Sequence, residues 1–146
     1  MVIGREADRL TADRVYIAFY RLGGRKEVFG GQVFACLLQR LNCQIGKDVA
    51  KQLTAEGKKV RVVSMPCVEL FDEQTDAYKE EVLPNAVRKR MVVEAAESFG
   101  WHRFIGLDGD SVTMNRFGAS APGGTCLKEF GFTVENVVAK ASALLA

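Results

Sequence analysis

Histidine is almost absent from the sequence, and the cysteines are scattered. His102 is the single histidine, and the four cysteines stand at positions 36, 43, 67 and 126 with no C-x-x-C spacing. A structural zinc site requires four thiolate or imidazole ligands at suitable spacing, so we expect none. Scattered cysteines of this kind are typical of a reducing compartment, where the thiols behave as small buried apolar side chains.

The sequence also lacks long apolar runs and a strong net charge. No segment approaches the roughly 18 apolar residues of a membrane span. Residues 1–14 include acidic side chains and lack the apolar core of a signal peptide. The net charge is only +2, too small to indicate a nucleic acid or a membrane surface as partner. We therefore expect a cytoplasmic protein that binds neither.

The length of 146 residues fits one domain, but the charges divide the chain into unlike parts. Residues 1–47 hold eight basic against four acidic residues, whereas residues 48–146 hold twelve against fourteen. With 48% hydrophobic and 26% charged residues, wholesale disorder is excluded. The sequence therefore predicts a globular domain with a change in character near residue 47.

Local patterns after residue 47 predict alternating helices and strands. Val49 and Leu53 share a helical face that ends before Gly57, a left-handed C-cap, and Val60–Met65 follows as a buried parallel strand. The helices expected after this strand are Phe71–Leu83, a short helix Leu127–Phe130 and Val134–Leu145, which Thr133 caps, with a short helix or turn at Glu97–Trp101. The strands expected are one within Arg88–Ala95, one at Phe104–Leu107 and a return strand at Val112–Met114. This order predicts an α/β fold with a mostly parallel sheet and helices on both faces.

Before residue 48 the signals are weaker. Val15–Phe19 fits a short strand, and Val33–Leu38 fits a strand or a helix equally well. Two pairs of adjacent glycines in this region, Gly23-Gly24 and Gly30-Gly31, interrupt any sustained periodicity of apolar residues. We therefore assign no firm structure to residues 1–47.

Several residues could carry chemistry, and each has a structural alternative. Glu94 at a strand exit could bind a ligand or a partner subunit, or could form an ion pair or cap a helix. His102 could act as an acid or base, although no nucleophile or carboxylate pattern accompanies it. Trp101 and Phe104 fit either the core or an interface anchor. None of these residues defines an active site by itself.

Small residues at Phe117–Gly124 form a loop with two readings. Its backbone N–H groups could hold an anion at a helix start near Thr125, or the loop could be a tight structural turn. A phosphate-binding loop with a following Lys-Ser/Thr pair is not present. Ser64 and Ser120 lack a G-x-S-x-G context, so neither is expected to be a nucleophile.

Several stretches, taken in order, resemble the carboxy-terminal domain of transketolase. They are KKVRVVSMP at 58–66 with CVELFDEQ at 67–74, YKEEVLP at 78–84, VVEA at 92–95, FGASAP at 117–122 and FGFTVENVVAKA at 130–141. Together they cover roughly residues 48–146. The joint match is specific, and the FGASAP loop favours transketolase over related domains in deoxyxylulose-phosphate synthase and the β subunits of 2-oxo-acid dehydrogenases.

The resemblance implies a three-layer α/β sandwich with a mixed, mainly parallel sheet. It also implies an enzyme that transfers a two-carbon ketol unit between sugar phosphates with thiamine diphosphate and a divalent metal, Mg²⁺ or Ca²⁺. In this family the cofactor lies between two other domains and across a dimer interface. We therefore carry no catalytic, cofactor-binding or metal-binding position onto this sequence. The partners implied are the remaining transketolase domains or a second subunit.

The first part of the chain departs from the family pattern. The family begins this domain with a buried strand, here expected at Phe34–Leu38, and a Gly-Ser-Glu-like turn, which would fall at Arg40-Leu41-Asn42 and has no glycine. The helix that follows is degraded at Cys43, Ile45 and Gly46. We therefore predict a divergent or wrongly framed leader at 1–47 joined to a transketolase C-terminal-like domain at 48–146.

Three functional hypotheses follow from the sequence. The first is a transketolase carboxy-terminal domain without ketol-transfer activity of its own. The second is a non-catalytic interaction module that completes a split thiamine-diphosphate enzyme. The third is a free-standing domain that uses the loop Phe117–Gly124 to bind an anionic ligand.

Overall fold

The computed structural model of the protein describes residues 2–3, 14–20, 44–65 and 68–146, with the backbone alone for the first two ranges. Within these ranges, five strands form one sheet, in the order β1-β3-β2-β4-β5. Their bounds are Val2–Ile3 for β1, Arg14–Tyr20 for β2, Lys59–Met65 for β3, Arg90–Val93 for β4 and Asp110–Val112 for β5.

Four of these strands run parallel. β2 pairs with β3 from Arg14↔Lys59 to Tyr20↔Met65 on one side, and it pairs with β4 on the other. β4 pairs with β5, and the short β1 joins the outer side of β3 in the antiparallel sense. The predicted α/β fold with a mixed, mainly parallel sheet is therefore confirmed. The strand expected at Val15–Phe19 corresponds to β2.

The first helix, α1, covers residues 44–55. Val49 and Leu53 on its inner face have no exposed surface, and Gly57 follows with a φ of 78°. Both features are as predicted, because the apolar spacing and the glycine are local signals. The helix nevertheless includes Ile45 and Gly46, which the family pattern led us to consider degraded.

The single helix expected at Phe71–Leu83 is two helices, α2 at Val68–Asp72 and α3 at Asp76–Val82. Thr75 divides them, with an extended backbone at ψ 152° and a side-chain oxygen that accepts a hydrogen bond from the N–H of Tyr78. The prediction of one helix was wrong because Thr75 acts as the N-cap of α3. Threonine is favoured at N-caps and less favoured inside helices, because its hydroxyl can bond to a nearby backbone N–H.

The segment predicted as a strand at Phe104–Leu107 is also helical. A 3-10 turn at Phe99–Trp101 leads into α4, His102–Ile105, which ends at Gly106 with a φ of 64°. Short apolar runs fit a buried strand or a buried helix equally well, so the spacing of apolar residues alone could not distinguish the two. The return strand expected at Val112–Met114 shares only Val112 with β5, Asp110–Val112, which runs parallel to β4.

Two helices complete the chain. α5 covers Gly123–Glu129 and therefore begins inside the loop predicted at 117–124. α6 covers Val134–Leu145, the bounds that the sequence predicts, and the Thr133 side chain caps it by accepting from the N–H of Asn136 at 3.2 Å. The side-chain Nδ2 of Asn136 donates a hydrogen bond to the carbonyl oxygen of Gly131 at 2.8 Å.

Two apolar clusters bury the faces of the sheet. Successive strand residues alternate between them: Met91 and Val93 belong to one cluster and Val92 to the other. Such alternation means that the clusters lie on opposite faces. The first cluster includes residues of α1, β5 and α6, and the second includes residues of α3, the 3-10 turn and α4.

The strand and turn expected at Phe34–Leu38 and Arg40-Leu41-Asn42 lie outside the described residues. The backbone of β1 and β2 nevertheless contributes two strands of the sheet from the first 47 residues. The division of the chain at residue 47 stays a prediction. Among the helices of the described ranges, none combines the length and the apolar character that crossing a bilayer requires.

Candidate functional site

The carboxyl ends of the parallel strands define the edge at which α/β sheets usually place functional groups. Chain order along the parallel strands reverses between β2 and β4, because β3 lies on one side of β2 and β4 on the other. Such a switch point opens a crevice at the carboxyl edge. Glu94, the first residue after β4, stands beside this point.

A groove of about 760 Å³ lies at this edge, between the start of α2 and the segment that follows β4. Its lining includes the acidic residues Glu69, Glu94 and Glu97 and the ring-bearing residues Phe99, Trp101 and His102. Three residues that the sequence singles out, Glu94, Trp101 and His102, are therefore brought together in one groove. The lining is mixed, with acidic groups beside aromatic surface.

Glu94 is 4% exposed, and its backbone N–H donates to the carbonyl of Val112 at 2.9 Å. This hydrogen bond continues the pairing of β4 and β5 by one residue, so it fixes the backbone from which the carboxylate projects. The sequence predicted a polar group at this strand exit, and its burial is known only from the structure.

Two loops of the carboxyl edge are joined by a polar pair that the sequence did not indicate. The N–H of Ser98 donates to Asn115 Oδ1 at 2.8 Å, and Asn115 Nδ2 donates to Ser98 Oγ at 2.9 Å. The N–H of Met114 also donates to the carbonyl of Ala96 at 2.9 Å. The loops after β4 and β5 therefore hold one another in place. No local signal could have found partners 17 residues apart.

The rings of His102, Trp101 and Phe104 differ in their exposure to solvent. His102 is exposed at the start of α4, whereas Trp101 and Phe104 are buried with ring centroids 5.7 Å apart. Arg103 donates to Asp72 at 2.7 Å and stacks over the Phe104 ring at 4.5 Å. Trp101 and Phe104 thus pack in the core, and the alternative of exposed interface anchors is wrong for both.

The anion site considered from the sequence at the loop Phe117–Gly124 stays a prediction, although two N–H groups beside the loop have internal acceptors. The N–H groups of Thr125 and Cys126 both donate to the carbonyl of Pro122, at 2.9 and 3.1 Å. These donors are therefore used within the first turn of α5. The side chain of Phe117, at the start of the loop, is 98% exposed.

The nucleophile and metal candidates are not grouped for chemistry. Ser64 lies half-buried in β3 and Ser120 is exposed in the loop before α5. Cys126 is a half-buried free thiol whose sulfur lies 3.5 Å from the carbonyls of Ala119 and Ala121. Within residues 44–65 and 68–146, no three His, Cys, Asp or Glu side chains come close enough together to hold a metal ion.

Fold and site together define an α/β domain with a groove at the carboxyl edge of a mainly parallel sheet. A family model described as the transketolase-like TK C-terminal domain matches residues 42–133. The transketolase of Nostoc sp. is 67% identical over 96 residues, which are 66% of this chain and 14% of that protein. A probable transketolase of Streptococcus pneumoniae is 55% identical over 91 residues. The chain belongs to the transketolase family and corresponds to its carboxy-terminal domain.

Solved structures agree with the family. A transketolase from Leishmania mexicana superposes with a TM-score of 0.70 at 38% identity, covering 94% of this chain and 17% of that one. A split-gene transketolase, described as an inactive beta4 tetramer, has a TM-score of 0.58 at 17% identity, a likeness of fold alone. The chain thus spans about one seventh of the length of the transketolases it matches in sequence.

Proposed function

We propose that this chain serves as the carboxy-terminal domain of a transketolase and supports the folding and dimerisation of that enzyme without performing chemistry itself. The observation that carries the proposal is the 67% identity to the Nostoc transketolase over 96 residues. This identity extends over 66% of the chain. The exchange of this domain between the two proteins should therefore be tolerated.

The reaction of the whole enzyme would be the transfer of a two-carbon ketol unit between sugar phosphates, as in the pentose phosphate pathway. Thiamine diphosphate and Mg²⁺ or Ca²⁺ supply the carbanion chemistry when bound to the other domains. Within the part of the chain that the structure describes, the groove gives no support for a diphosphate site, because three acidic residues, Glu69, Glu94 and Glu97, line it beside Arg103.

The finer points of architecture belong to the same proposal. Helices on both faces of the sheet would make a three-layer sandwich, which the two apolar clusters support. Residues 1–47 would form a divergent leader and residues 48–146 the domain proper. Its partners would be the other transketolase domains or a second subunit in the cytoplasm, with no role for nucleic acid or membranes.

A separate chain that completes a split enzyme remains the alternative. It is motivated by the split-gene transketolase, of which this chain covers 40%. Residues 21–43, which precede α1, differ from the family pattern at the expected turn. Co-purification of the 146-residue chain with a protein that carries the thiamine-binding domains would favour this alternative over a covalent arrangement.

A domain exchange tests the main proposal. The 96 residues of the Nostoc transketolase that match this chain are replaced by the matching residues of this chain, so that the rest of the Nostoc protein is kept, and ketol transfer and dimerisation are measured. We expect an active dimer, because the exchanged domain makes equivalent contacts. An inactive or monomeric hybrid would contradict the proposal, and so would full activity of the Nostoc enzyme truncated at the same junction.

The 146-residue chain alone provides a second measurement. Isothermal titration with thiamine diphosphate and Mg²⁺ should show no saturable binding. Binding in the micromolar range would show that this chain holds the cofactor and would overturn the assignment of a supporting role.

A further inference from the structure

The sheet ends at β5, which is the outermost strand on its side within the described ranges. An edge strand presents backbone N–H and C=O groups that no neighbouring strand uses, and these groups can pair with a strand of another chain. In a strand, the N–H and C=O of one residue point to the same side, and successive residues alternate. The outward-pointing groups of β5 therefore decide whether another strand can be added there.

Ser111 is the residue of β5 whose backbone groups point outward. The carbonyl of Val112 accepts from the N–H of Glu94 at 2.9 Å, so the backbone groups of Val112 face β4. Since successive residues alternate, Asp110 also faces β4 and Ser111 faces away from it. Ser111 is thus the position at which β5 could pair with a further strand.

Both outward groups of Ser111 are already bonded to side chains of the same chain. Its N–H donates to Oδ1 of Asp110 at 2.7 Å, and its carbonyl accepts from Nζ of Lys140 on α6 at 3.1 Å. The same Nζ donates to the two carboxylate oxygens of Asp110, at 3.1 and 2.8 Å. The two side chains therefore form one cluster over the outer side of β5, and we call Asp110 and Lys140 the edge clasp.

The edge clasp places two charges beside the groups that an added strand would need. A strand that paired with Ser111 would have to replace both of its hydrogen bonds and take water away from the ion pair. Charged side chains at the edge of a sheet are one means by which proteins prevent pairing between the edges of two molecules. The cluster therefore has the composition of a device that keeps this edge closed.

We infer that the edge clasp prevents β5 from pairing with a strand of a second copy of this chain. The inference goes beyond the proposed function, because it concerns association through this edge whether the chain is a domain or a separate subunit. Removal of Lys140 would uncover the carbonyl of Ser111, and removal of the Asp110 carboxylate would uncover its N–H. Either change should open the edge.

Two substitutions open the edge clasp from different sides. Lys140→Met removes the donor to the carbonyl of Ser111 and lowers the net charge, whereas Asp110→Ala removes the acceptor of its N–H and raises the net charge. Lys79→Met is a matched control, because Lys79 pairs with Asp76 on α3 and its side chain is 33% exposed against 38% for Lys140. Ion pairs with this exposure contribute little to stability, so circular dichroism should show all three variants folded.

Sedimentation velocity of the 146-residue chain over a series of concentrations measures self-association. We expect both clasp variants to associate about tenfold more tightly than the unsubstituted chain, because each exposes a backbone group that an added strand can use. Lys79→Met should behave like the unsubstituted chain. Agreement between two variants whose net charges change in opposite directions would show that net charge is not the cause.

A proline at position 111 distinguishes edge pairing from aggregation of unfolded chains. Ser111→Pro removes the outward N–H and keeps the hydrogen bonds between β4 and β5, which do not use that group. When it is combined with Lys140→Met, association should return to the level of the unsubstituted chain. Amide hydrogen exchange gives a direct measurement, since the Ser111 N–H in Asp110→Ala should exchange more slowly as the concentration rises and a second strand covers it.

Several results would overturn the inference. One is association of the clasp variants no tighter than that of Lys79→Met, and another is an increase in only one of two folded clasp variants. Association that persists in the proline variant, or that leaves the exchange of the Ser111 N–H unchanged, would place the contact on a different surface. If one clasp variant fails to fold, the other decides. Loss of folding in both would assign the cluster to the attachment of α6 and refute the inference.

Discussion

Asn115 bonds to both the backbone and the side chain of Ser98, accepting from the N–H at 2.8 Å and donating to Oγ at 2.9 Å. Ser98 is 9% exposed, so its backbone N–H has little access to water as an alternative acceptor. The pair connects the segment after β4 with the segment after β5. It therefore fixes these two segments to each other at the carboxyl edge, where the groove lies.

Removal of the Asn115 amide should destabilise the chain. Asn115→Ala leaves the N–H of Ser98 without its acceptor, and we expect the free energy of unfolding to fall by about 1–2 kcal/mol. Urea unfolding of the 146-residue chain measures the change as a lower midpoint at constant slope. Asn115→Asp keeps an acceptor for the same N–H and should lose less than half as much. Equal losses in the two variants would show that the acceptor is not the important group.

Gly109 should not tolerate a methyl group. A Cβ at this position would lie 2.4 Å from the carbonyl oxygen of Ile105 and 2.6 Å from that of Arg90, so the backbone would have to move. We expect Gly109→Ala to cost about 2–3 kcal/mol of unfolding free energy. Gly118→Ala is the control, since nothing lies within 4 Å of its Cβ and it should be nearly neutral. The thermal unfolding of both variants is followed by circular dichroism. An unchanged Tm for Gly109→Ala would contradict the close packing at this position.

We expect the loss of Arg90 to lower the stability of the chain more than the loss of Arg88. Its guanidinium donates to four backbone carbonyls at 2.8–3.2 Å, those of Leu83, Pro84, Val87 and Phe104. Arg90→Met removes all four bonds, and we expect a loss of about 3 kcal/mol. Arg88 forms an exposed ion pair with Asp108, so Arg88→Met should cost about 1 kcal/mol or less. Similar urea midpoints for the two variants would refute the role given to Arg90.

The cap of α6 should account for a measurable part of the stability. Thr133→Ala removes the oxygen that accepts from the N–H of Asn136, at a cost of about 1 kcal/mol. Thr133→Ser retains the hydroxyl and should restore most of the loss. Amide hydrogen exchange in the first turn of α6 should accelerate in the alanine variant. Unchanged exchange there would mean that the hydroxyl contributes nothing to the cap.

Features with a local cause were predictable from the sequence. The bounds of α6, the left-handed Gly57 after α1 and the strands β3 and β4 follow from apolar spacing, capping residues and β-branched runs. Membership of the transketolase family was also predictable, because several motifs occur together in the order of the family. The same local signals failed at Thr75, whose capping hydroxyl outweighs the helical pattern around it.

Tertiary structure decided the features that depend on distant residues. Phe104 and Ile105 are apolar in either a strand or a helix, and only their packing in the cluster around Trp101 selects the helix α4. The groove likewise depends on the parallel order of the strands, which brings Glu69 to the segment that contains Glu94.

The sequence by itself thus determined the family, most elements and the position of Glu94 at a strand end. Only the tertiary structure decided that Ser98 meets Asn115 and that Glu69, Glu94 and Glu97 line one groove. The physical reason is that a hydrophobic period describes which side of one element is buried. It contains no information on which loops lie side by side once the strands have paired.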